Sequence, residues 1–485
     1  MANDIIKLKG QDGTSYEVSA KKIGSGAKKD VYANPDKKFV AAFYRDPVDL
    51  TSLLRLKDLT GKYKNSIFSN DLWHKYLCWP YKQVTSPKGK IGLLLPYYPD
   101  HFFFKYGNIK GKEKSCDWFI KPITRKTMID KKELGNWKKD FIVCLKLARA
   151  LRRLHSAGLA HSDISYKNIL IDPSQGNAMI IDLDELVVPG KYPAGVLGSP
   201  DFIAPEVMKT LNLKNDDPNK KLPSIQTDSY ALGCLIYMIL LHRHPLKGRK
   251  VHHSDAEKDL ELTLGEKALF IENDSDYSNR PKIEGDRDMP WIDINRLPYK
   301  ITGPLLSKLI KKNFQDGLHQ PSERPMASEW ENAILETLNL LTFCSNPNCE
   351  SKWFVMNKAG RCPFCGSEYK GFSIPVFDIY KANYKNEYCF TGKQWVIYNG
   401  KTINKWDVFQ NIYLNENINK DDYKRVGKFE FEKDRWFFEN QYLSDLYIDG
   451  KEIKIGLETE IKVGSEIVFG KTPHGLKALV KMYHY

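Results

Sequence analysis

The chain has 485 residues, which is too long for one domain and long enough for three. Hydrophobic residues make up 42% of it, an ordinary share for a globular protein, and no apolar run is long enough to span a membrane. The formal charge is +14, and lysines crowd residues 109–139. A charge run of this kind is usually a solvated face. No nucleic-acid motif accompanies it, so we do not expect a nucleic acid as a partner. Because no apolar run is long enough, we do not expect a membrane either.

Several short motifs follow one another in the first two-thirds of the chain. The first is a glycine-rich hairpin at Gly24-Ser25-Gly26, which would let backbone N–H groups approach a phosphate. Apolar residues at helical spacing then predict a long helix with one buried face, formed by Phe141, Leu145, Ala148, Leu151 and Leu154. The remaining motifs lie beyond this helix: His161 to Leu170, Ile180 to Asp184, Gly198 to Glu206, Asp228 to Gly233, and Arg324-Pro325.

The stretch after the predicted helix carries the most chemistry. Asp163 and Asn168 are separated by four residues, and a second acid, Asp182, follows in the next motif. ATP-dependent phosphoryl transfer needs one carboxylate to orient the attacking hydroxyl, and an amide and a second carboxylate to hold magnesium on the phosphates. The order of these residues therefore predicts that chemistry.

Together the motifs resemble those of protein kinases. The resemblance implies a bilobal α+β kinase fold, ATP and Mg²⁺ as cofactors, and a protein substrate. It also implies the roles of the residues: Asp163 as catalytic base, Asn168 and Asp182 as Mg²⁺ ligands, and Gly24 and Gly26 at the phosphates of the nucleotide.

Three further positions match the same family. Ser199 lies where Ser/Thr kinases keep a hydroxyl that contacts the catalytic aspartate, which favours Ser or Thr as the acceptor. Lys167 stands where many tyrosine kinases carry arginine, and we expect it to supply positive charge at the transferring phosphoryl group. Arg324 is expected to pair with Glu206 in a structural ion pair.

One family feature is missing. Kinases keep a lysine on the third strand, paired with a glutamate on the next helix. The corresponding strand, 38–44, has Ala42 at the expected position, or Phe43 if the register shifts by one residue. The next predicted helix, 47–63, contains no glutamate. The sequence therefore lacks the whole pair.

A lysine in the glycine-rich loop offers a replacement. Lys29 stands at the third glycine position, as in the with-no-lysine kinases, and neighbouring strands lie only about 5 Å apart. We expect Lys29 to contact the phosphates; the alternative is a solvated hairpin charge like that of Lys28. Asp184 replaces the glycine of the metal-binding motif, and we interpret it as a loop acid rather than a further metal ligand.

The segment before Gly198 indicates how the predicted kinase activity is regulated. Between Glu185 and Gly198 the only hydroxyl is that of Tyr192, and Ser162 replaces the arginine that would clamp a loop phosphate. Activation by loop phosphorylation needs both an acceptor and an arginine. We therefore expect no activation of that kind.

Four cysteines form two knuckles around a short apolar hairpin: Cys344 with Cys349, and Cys362 with Cys365. Four thiolates at this spacing predict a structural Zn²⁺ site. Disulfides are the alternative, but no signal peptide is recognisable, and the other five cysteines are scattered. Both features suit a reducing, cytoplasmic location.

The last segment, 371–485, alternates short β-rich runs with turn pairs such as Asn399-Gly400, which predicts an all-β domain. Its end, from Tyr447-Ile448-Asp449-Gly450 to Val463–Gly470, resembles a forkhead-associated sandwich. That family binds phosphothreonine with a Gly-Arg pair and a Ser-x-x-His motif. Neither is found in the segment 371–485, so phosphopeptide binding is not expected.

These interpretations predict an α+β chain with four parts: 1–98 as kinase N-lobe, 99–340 as C-lobe, 341–370 as zinc ribbon, and 371–485 as a small β-sandwich. The order resembles bacterial kinases of tellurite-resistance and stress gene clusters. That resemblance implies a von Willebrand A-type protein and a PP2C-like phosphatase as partners. A pseudokinase scaffold is the rival function, and the retained acids and amide favour an active enzyme.

Overall fold

The computed structural model describes residues 5–68, 71–214, 216–282, 290–368, 373–383, 387–412 and 418–484. The chain divides into two units, one formed by Met1–Lys300 and Leu306–Ile334, the other by Ile301–Leu305 and Leu335–Tyr485. Within the described ranges, no helix combines the length and the apolar character that crossing a membrane requires.

An antiparallel sheet opens the first unit. Its seven strands are β1 (Ile5–Gly10), β2 (Ser15–Ser19), β3 (Lys22–Ser25), β4 (Lys29–Ala33), β5 (Phe39–Tyr44), β6 (Lys82–Thr85) and β7 (Ile91–Pro96). They lie in the order β2-β1-β6-β7-β5-β4-β3. Side chains alternate along each strand. One face therefore forms an apolar core of Leu8, Val18, Ala41, Phe43, Val84 and Leu94.

The helix predicted over 47–63 is present but divided. Helix α1 (Leu50–Asp58) begins at Asp49, whose carboxylate accepts a hydrogen bond from the N–H of Ser52. A π-helical turn, Leu59–Tyr63, continues it into α2 (Lys64–Ile67).

Helices dominate the rest of this unit. They are α3 (Asp117–Ile120), α4 (Pro122–Met128), α5 (Trp137–Ser156), α6 (Pro205–Met208), α7 (Ile225–Leu241), α8 (Ala256–Leu264), α9 (Pro304–Lys311) and α10 (Ala327–Leu338). All five residues of the predicted apolar face lie buried on α5, so that prediction is confirmed. Helix α7 is buried on all sides from Thr227 onwards, as expected of a central helix. The hairpin of β8 (Ile169–Asp172) and β9 (Asn177–Ile180) follows α5.

The second unit is built mainly from strands. A short hairpin comes first, with β10 (Leu341–Phe343) and β11 (Trp353–Val355). The following elements are β12 (Ser373–Ala382), β13 (Tyr388–Val396), β14 (Thr402–Asn404), α11 (Lys405–Val408), β15 (Arg425–Glu432), β16 (Arg435–Asn440), β17 (Tyr447–Ile448), β18 (Lys451–Glu452), β19 (Glu458–Ile461), β20 (Glu466–Val468) and β21 (Leu476–His484).

These strands form two sheets over one core. The larger has the order β13-β12-β21-β20-β17-β18, and the smaller has the order β14-β15-β16-β19. Phe377 of the first meets Phe429 of the second at a ring separation of 5.3 Å. Trp395, Phe438 and Val480 belong to the same buried cluster.

Candidate active site and cysteine cluster

The loop that follows α5 is fixed by an aspartate of α7. Asp228 is buried, and its carboxylate accepts hydrogen bonds from the backbone N–H groups of His161 (2.7 Å) and Ser162 (3.2 Å). Ser162 has a φ of 69°, a left-handed conformation that few residues other than glycine adopt. The two bonds therefore stabilise an unusual turn, and Asp163 follows it.

Both oxygens of the Asp163 carboxylate are held. Oδ1 accepts hydrogen bonds from the N–H (2.7 Å) and the hydroxyl (2.9 Å) of Ser199, and Oδ2 accepts one from Nδ2 of Asn168 (2.8 Å). The predicted contact between Ser199 and Asp163 is confirmed. A carboxylate with a fixed orientation is suited to take a proton from a positioned hydroxyl.

Asn168 and Asp182 lie in segments joined through the backbone. The N–H of Ile181 donates to the carbonyl of Asn168 at 3.0 Å, so the segment leaving β9 runs beside the loop. The Asn168 amide donates through Nδ2, and its Oδ1 is the atom with which an amide binds a hard cation. The Asp182 side chain is 52% exposed, so its carboxylate is open to a ligand.

The hairpin of β3 and β4 contains the two predicted glycines. Its turn is closed by a hydrogen bond from the N–H of Gly26 to the carbonyl of Lys29 at 2.9 Å. A Cβ added at Gly24 or at Gly26 would meet no atom closer than 3.9 or 3.8 Å, respectively. Packing within the chain therefore does not account for these glycines, whereas close approach of a ligand would.

Lys29 connects the hairpin to the segment after β9. Its ammonium lies 2.8 Å from Oδ1 of Asp182 and 2.5 Å from Oδ1 of Asp184. Lys28 instead contacts Glu185 at 2.6 Å. The Lys29 side chain is 17% exposed and that of Lys28 is 46% exposed, so the two lysines have different surroundings.

Asp184 is the most buried carboxylate at this place. Its side chain is 1% exposed, and its second oxygen accepts a hydrogen bond from the hydroxyl of Tyr44. Tyr44 ends β5 and pairs directly with Lys29 on β4. The interpretation of Asp184 as a loop acid with no particular role did not anticipate this burial or its two donors, Lys29 and Tyr44.

The charges of this group stabilise one another. Burial would lower the pKa of Lys29, but the carboxylates of Asp184 and Asp182 raise it by more. Burial would raise the pKa of Asp184, whereas Lys29 and Tyr44 lower it to about 2. Burial and the charge of Asp184 raise the pKa of Tyr44. Although half of its side-chain surface is exposed, partial desolvation and the charge of Asp184 raise the pKa of Asp182. At neutral pH, Lys29 is thus a cation and Tyr44 a neutral donor.

Neither of the two β5 positions considered for the missing lysine contacts Asp184, but another residue of the strand does. Ala42 pairs with Val31 of β4, and Phe43 belongs to the apolar core on the other face of the sheet. The β5 side chain that reaches Asp184 is Tyr44, two residues after Ala42 and on the same face. Sequence reasoning missed Tyr44. The signal was available in the alternation of the strand, once Phe43 is assigned to the core.

Helix α1 contacts the segment that follows Asp184. Asp58 accepts hydrogen bonds from Lys191 (2.6 Å) and from the hydroxyl of Tyr192 (2.8 Å). Arg55 donates to the carbonyl of Pro193 at 2.7 Å. Tyr192 is buried as a residue, and its hydroxyl is hydrogen-bonded.

Two other predicted positions lie in the same unit. Arg324 and Glu206 form a bidentate pair, Nη1 to Oε1 at 2.8 Å and Nη2 to Oε2 at 2.7 Å, which confirms the predicted contact. Lys167 is exposed, one residue before Asn168.

The four cysteines of the second unit come together. Their sulfur atoms all lie within 4.8 Å of one another, with Cys344 and Cys365 at 3.4 Å and Cys349 and Cys362 at 3.9 Å. All four thiols are free, and Cys365 is the most exposed of them. Four thiolates about 2.3 Å from a zinc ion stand roughly 3.8 Å apart, so the donor set fits tetrahedral coordination. A hydrogen bond from the Cys362 thiol lowers the pKa of Cys349 to about 5.

Residues 114–330 match the family model described as the protein kinase domain. This part of the chain is therefore similar to a protein kinase domain. The predicted kinase fold, with its mixture of helices and strands, is confirmed by this match. The glycine-rich hairpin, Lys29 and Tyr44 lie N-terminal to the matched residues, and the cysteine cluster lies C-terminal to them.

Several proteins resemble the chain. The Ser/Thr-protein kinase ppk8 of Schizosaccharomyces pombe is 28% identical over 56% of this chain and 50% of its own length. The Ser/Thr-protein kinase PLK4 of Nematostella vectensis is 27% identical over 36% of this chain and 14% of its own length. Among solved structures, a rhoptry antigen kinase domain of Toxoplasma gondii has a TM-score of 0.42 at 12% identity, covering 69% of this chain and 86% of that chain. The chain thus spans half or less of the length of these two curated relatives.

Proposed function

We propose that this chain is an ATP-dependent protein kinase that transfers the γ-phosphate to Ser or Thr of a protein substrate. The observation that carries the proposal is the Asp163 carboxylate, whose two oxygens are oriented by Ser199 and Asn168. A base whose orientation is fixed before the substrate arrives loses little entropy in the reaction. The kinase domain and the Ser/Thr-kinase relatives support the same activity.

Each residue of the site would have a separate role in phosphoryl transfer. Bound ATP supplies the phosphoryl group, and its Mg²⁺ neutralises charge on the phosphates. Asp163 would orient the acceptor hydroxyl and take its proton. Asn168 and Asp182 would hold Mg²⁺ through amide and carboxylate oxygens. The backbone at Gly24 and Gly26 would lie against the phosphates, for which the open space at both glycines is supporting evidence.

Two lysines would carry positive charge to the phosphates. Lys29 contacts the half-exposed Asp182, and this contact is one that it can exchange for a phosphate. Its long, flexible stem allows that movement. Lys167 is exposed beside the loop and would meet the transferring group only when substrate is present.

The rest of the chain would serve structure and partners. We assign 1–98 to the N-lobe, 99–340 to the C-lobe, 341–370 to a zinc ribbon and 371–485 to a forkhead-associated-like sandwich. Cys344, Cys349, Cys362 and Cys365 would hold Zn²⁺, and their close sulfur atoms support this assignment.

The likeness to bacterial stress-associated kinases gives the biological setting. It suggests a cytoplasmic enzyme that acts with a von Willebrand A-type protein and a PP2C-like phosphatase. Co-purification of those two proteins with the tagged chain from the native cell would support this setting, and their absence from the eluate would argue against it.

The activity is tested with labelled ATP, Mg²⁺ or Mn²⁺, and a generic basic protein. Asp163→Ala should lower turnover by about a hundredfold or more, because general-base catalysis commonly contributes that much. Its melting temperature should stay near that of the parent. Asp36→Ala, which removes an exposed carboxylate of the same unit, should leave turnover unchanged.

Two outcomes would redirect the proposal. Equal turnover in Asp163→Ala and the parent would remove Asp163 from the mechanism. A parent that is inactive with every metal, yet binds nucleotide, would be a pseudokinase scaffold instead.

A further inference from the structure

The two acids at the ends of α1 have hydrogen-bond partners other than Lys29. Asp49 caps the helix by accepting hydrogen bonds from the N–H and the hydroxyl of Ser52, at 2.9 and 2.7 Å. Asp58, at the other end of the helix, accepts bonds from Lys191 and Tyr192. The carboxylate that holds Lys29 must therefore come from another element.

Asp184 and Asp182 differ in burial although both contact Lys29. The side chain of Asp184 is 1% exposed, whereas that of Asp182 is 52% exposed. A buried ion pair is screened little, and separating it leaves an uncompensated buried charge. The contact with Asp184 is thus the durable one, and the contact with Asp182 is the one open to exchange.

Tyr44 completes the arrangement around Asp184. Its hydroxyl donates a hydrogen bond to Oδ2 of Asp184, whereas Lys29 donates to Oδ1. Because Tyr44 and Lys29 are directly paired on neighbouring strands, the sheet itself fixes the spacing of the two donors. Both oxygens of Asp184 therefore have a donor, and the carboxylate cannot turn without breaking one bond.

We propose that Asp184 is the positioning residue of Lys29, with Tyr44 holding Asp184, so that together they do what a glutamate of the helix does in other kinases. The proposal rests on the proposed function, because it concerns how the lysine is aimed at the phosphates of ATP. It gives the two acids separate roles: Asp182 is left for the metal, and Asp184 stays with the lysine.

The structure also suggests a second substitution that should offset the loss of the Asp184 carboxylate. A cavity of about 240 Å³ is lined by Ser52 and Leu56 of α1 together with Tyr44 and Asp184. A glutamate introduced at Ser52 would extend into this space. It would place a carboxylate of α1 beside position 184, where Asp184→Asn removes one.

The test compares Asp184→Asn, Tyr44→Phe and the double variant Asp184→Asn with Ser52→Glu. Asp36→Asn, which also replaces an acid by its amide but changes an exposed carboxylate beside Lys38, is the matched control. MgATP affinity is measured by calorimetry, and the KM values for ATP and for the protein substrate are measured separately.

Asp184→Asn should weaken MgATP binding and raise the KM for ATP by about tenfold or more, with the KM for the protein substrate unchanged. Tyr44→Phe should act in the same direction and more weakly.

The double variant should recover part of the affinity, which a merely structural role of Asp184 would not predict. Parent-like ATP affinity in a folded Asp184→Asn protein would overturn the proposal. If that variant does not fold, Tyr44→Phe decides: a parent-like KM for ATP would overturn the proposal as well. Asp163→Ala separates the two hypotheses, because it should bind MgATP normally and fail only in turnover. Loss of turnover with full affinity in Asp184→Asn would refute the positioning role while leaving the kinase function intact.

Discussion

The cysteine cluster and the lysine site are assembled in opposite ways. All four sulfur atoms come from one short segment, 344–365, which begins within the β10–β11 hairpin and continues beyond it. Lys29, Tyr44 and Asp184 come from two strands of the sheet and from the loop after β9. A damaged cluster should therefore fail locally, whereas the lysine site depends on the packing of distant elements. The following predictions test this difference.

The largest effect is expected at the cluster. Purified protein should carry one zinc ion per chain, and Cys344→Ser should release it, because three thiolates bind zinc much more weakly than four. Apparent zinc affinities of small structural sites correspond to about 10–16 kcal/mol, so the segment 341–370 should become protease-sensitive while the kinase domain stays folded. Metal analysis and limited proteolysis measure both effects.

Cys389→Ser is the control, since Cys389 is exposed and outside the cluster. It should keep the metal. Protein without zinc, or a disulfide among the four thiols in air-free preparations, would contradict the metal assignment. Unfolding of the kinase domain in Cys344→Ser would contradict the local nature of the cluster.

The second prediction concerns the lysine itself. Lys29→Met should lower ATP turnover by about a hundredfold, equal to about 2.7 kcal/mol of transition-state stabilisation. Lys28→Met should change turnover little, because Lys28 is more exposed and contacts Glu185 instead. If the two methionine variants behave alike in a kinase assay, Lys29 does not replace the missing strand lysine.

A third prediction uses the register of the sheet. Adding Tyr44→Lys to Lys29→Gly should raise turnover about tenfold above that of Lys29→Gly alone. The reason is that position 44 faces Asp184 and pairs with position 29. Adding Ala42→Lys, the change that the sequence alone would suggest, should restore less, because Ala42 pairs with Val31. Turnover of the two double variants is compared directly. Better recovery with Ala42→Lys would show that the phosphates lie further along the strand.

The two regions also differ in what their sequences reveal. Four cysteines around a short hairpin predict their own proximity, because so few residues leave the chain little freedom. The loop after α5 is nearly as predictable, since Asp163 and Asn168 are only five positions apart and are directly hydrogen-bonded. The contact between Arg324 and Glu206 was predictable only through the resemblance to kinases.

Asp184 and Tyr44 were not predictable in the same way. Asp184 stands in a loop, where most acids are solvated, and its burial depends on a strand about 140 residues earlier in the sequence. The partner of a strand residue is fixed by register, and a shift by one residue reverses its face. The sequence left two registers open for β5, and neither drew attention to Tyr44 as a donor to Asp184.

The smallest effect is expected where α1 meets the segment that begins at Glu185. Tyr192→Phe removes one hydrogen bond, from the hydroxyl to Asp58, and keeps the buried ring. A hydrogen bond of this kind contributes about 1 kcal/mol, so the melting temperature of the kinase domain should fall by a few degrees. Tyr106→Phe, which changes an exposed tyrosine, is the control and should not alter it.

The KM for ATP of Tyr192→Phe distinguishes two views of the lysine site. If Asp184 alone positions Lys29, weakening the contact between α1 and Tyr192 should leave the KM for ATP near that of the parent, because neither partner touches Lys29. If α1 orients the lysine indirectly, the KM for ATP should rise together with the loss of stability. Measuring both quantities on one preparation therefore shows whether the lysine site depends on the helix or only on the two strands and the loop that supply its residues.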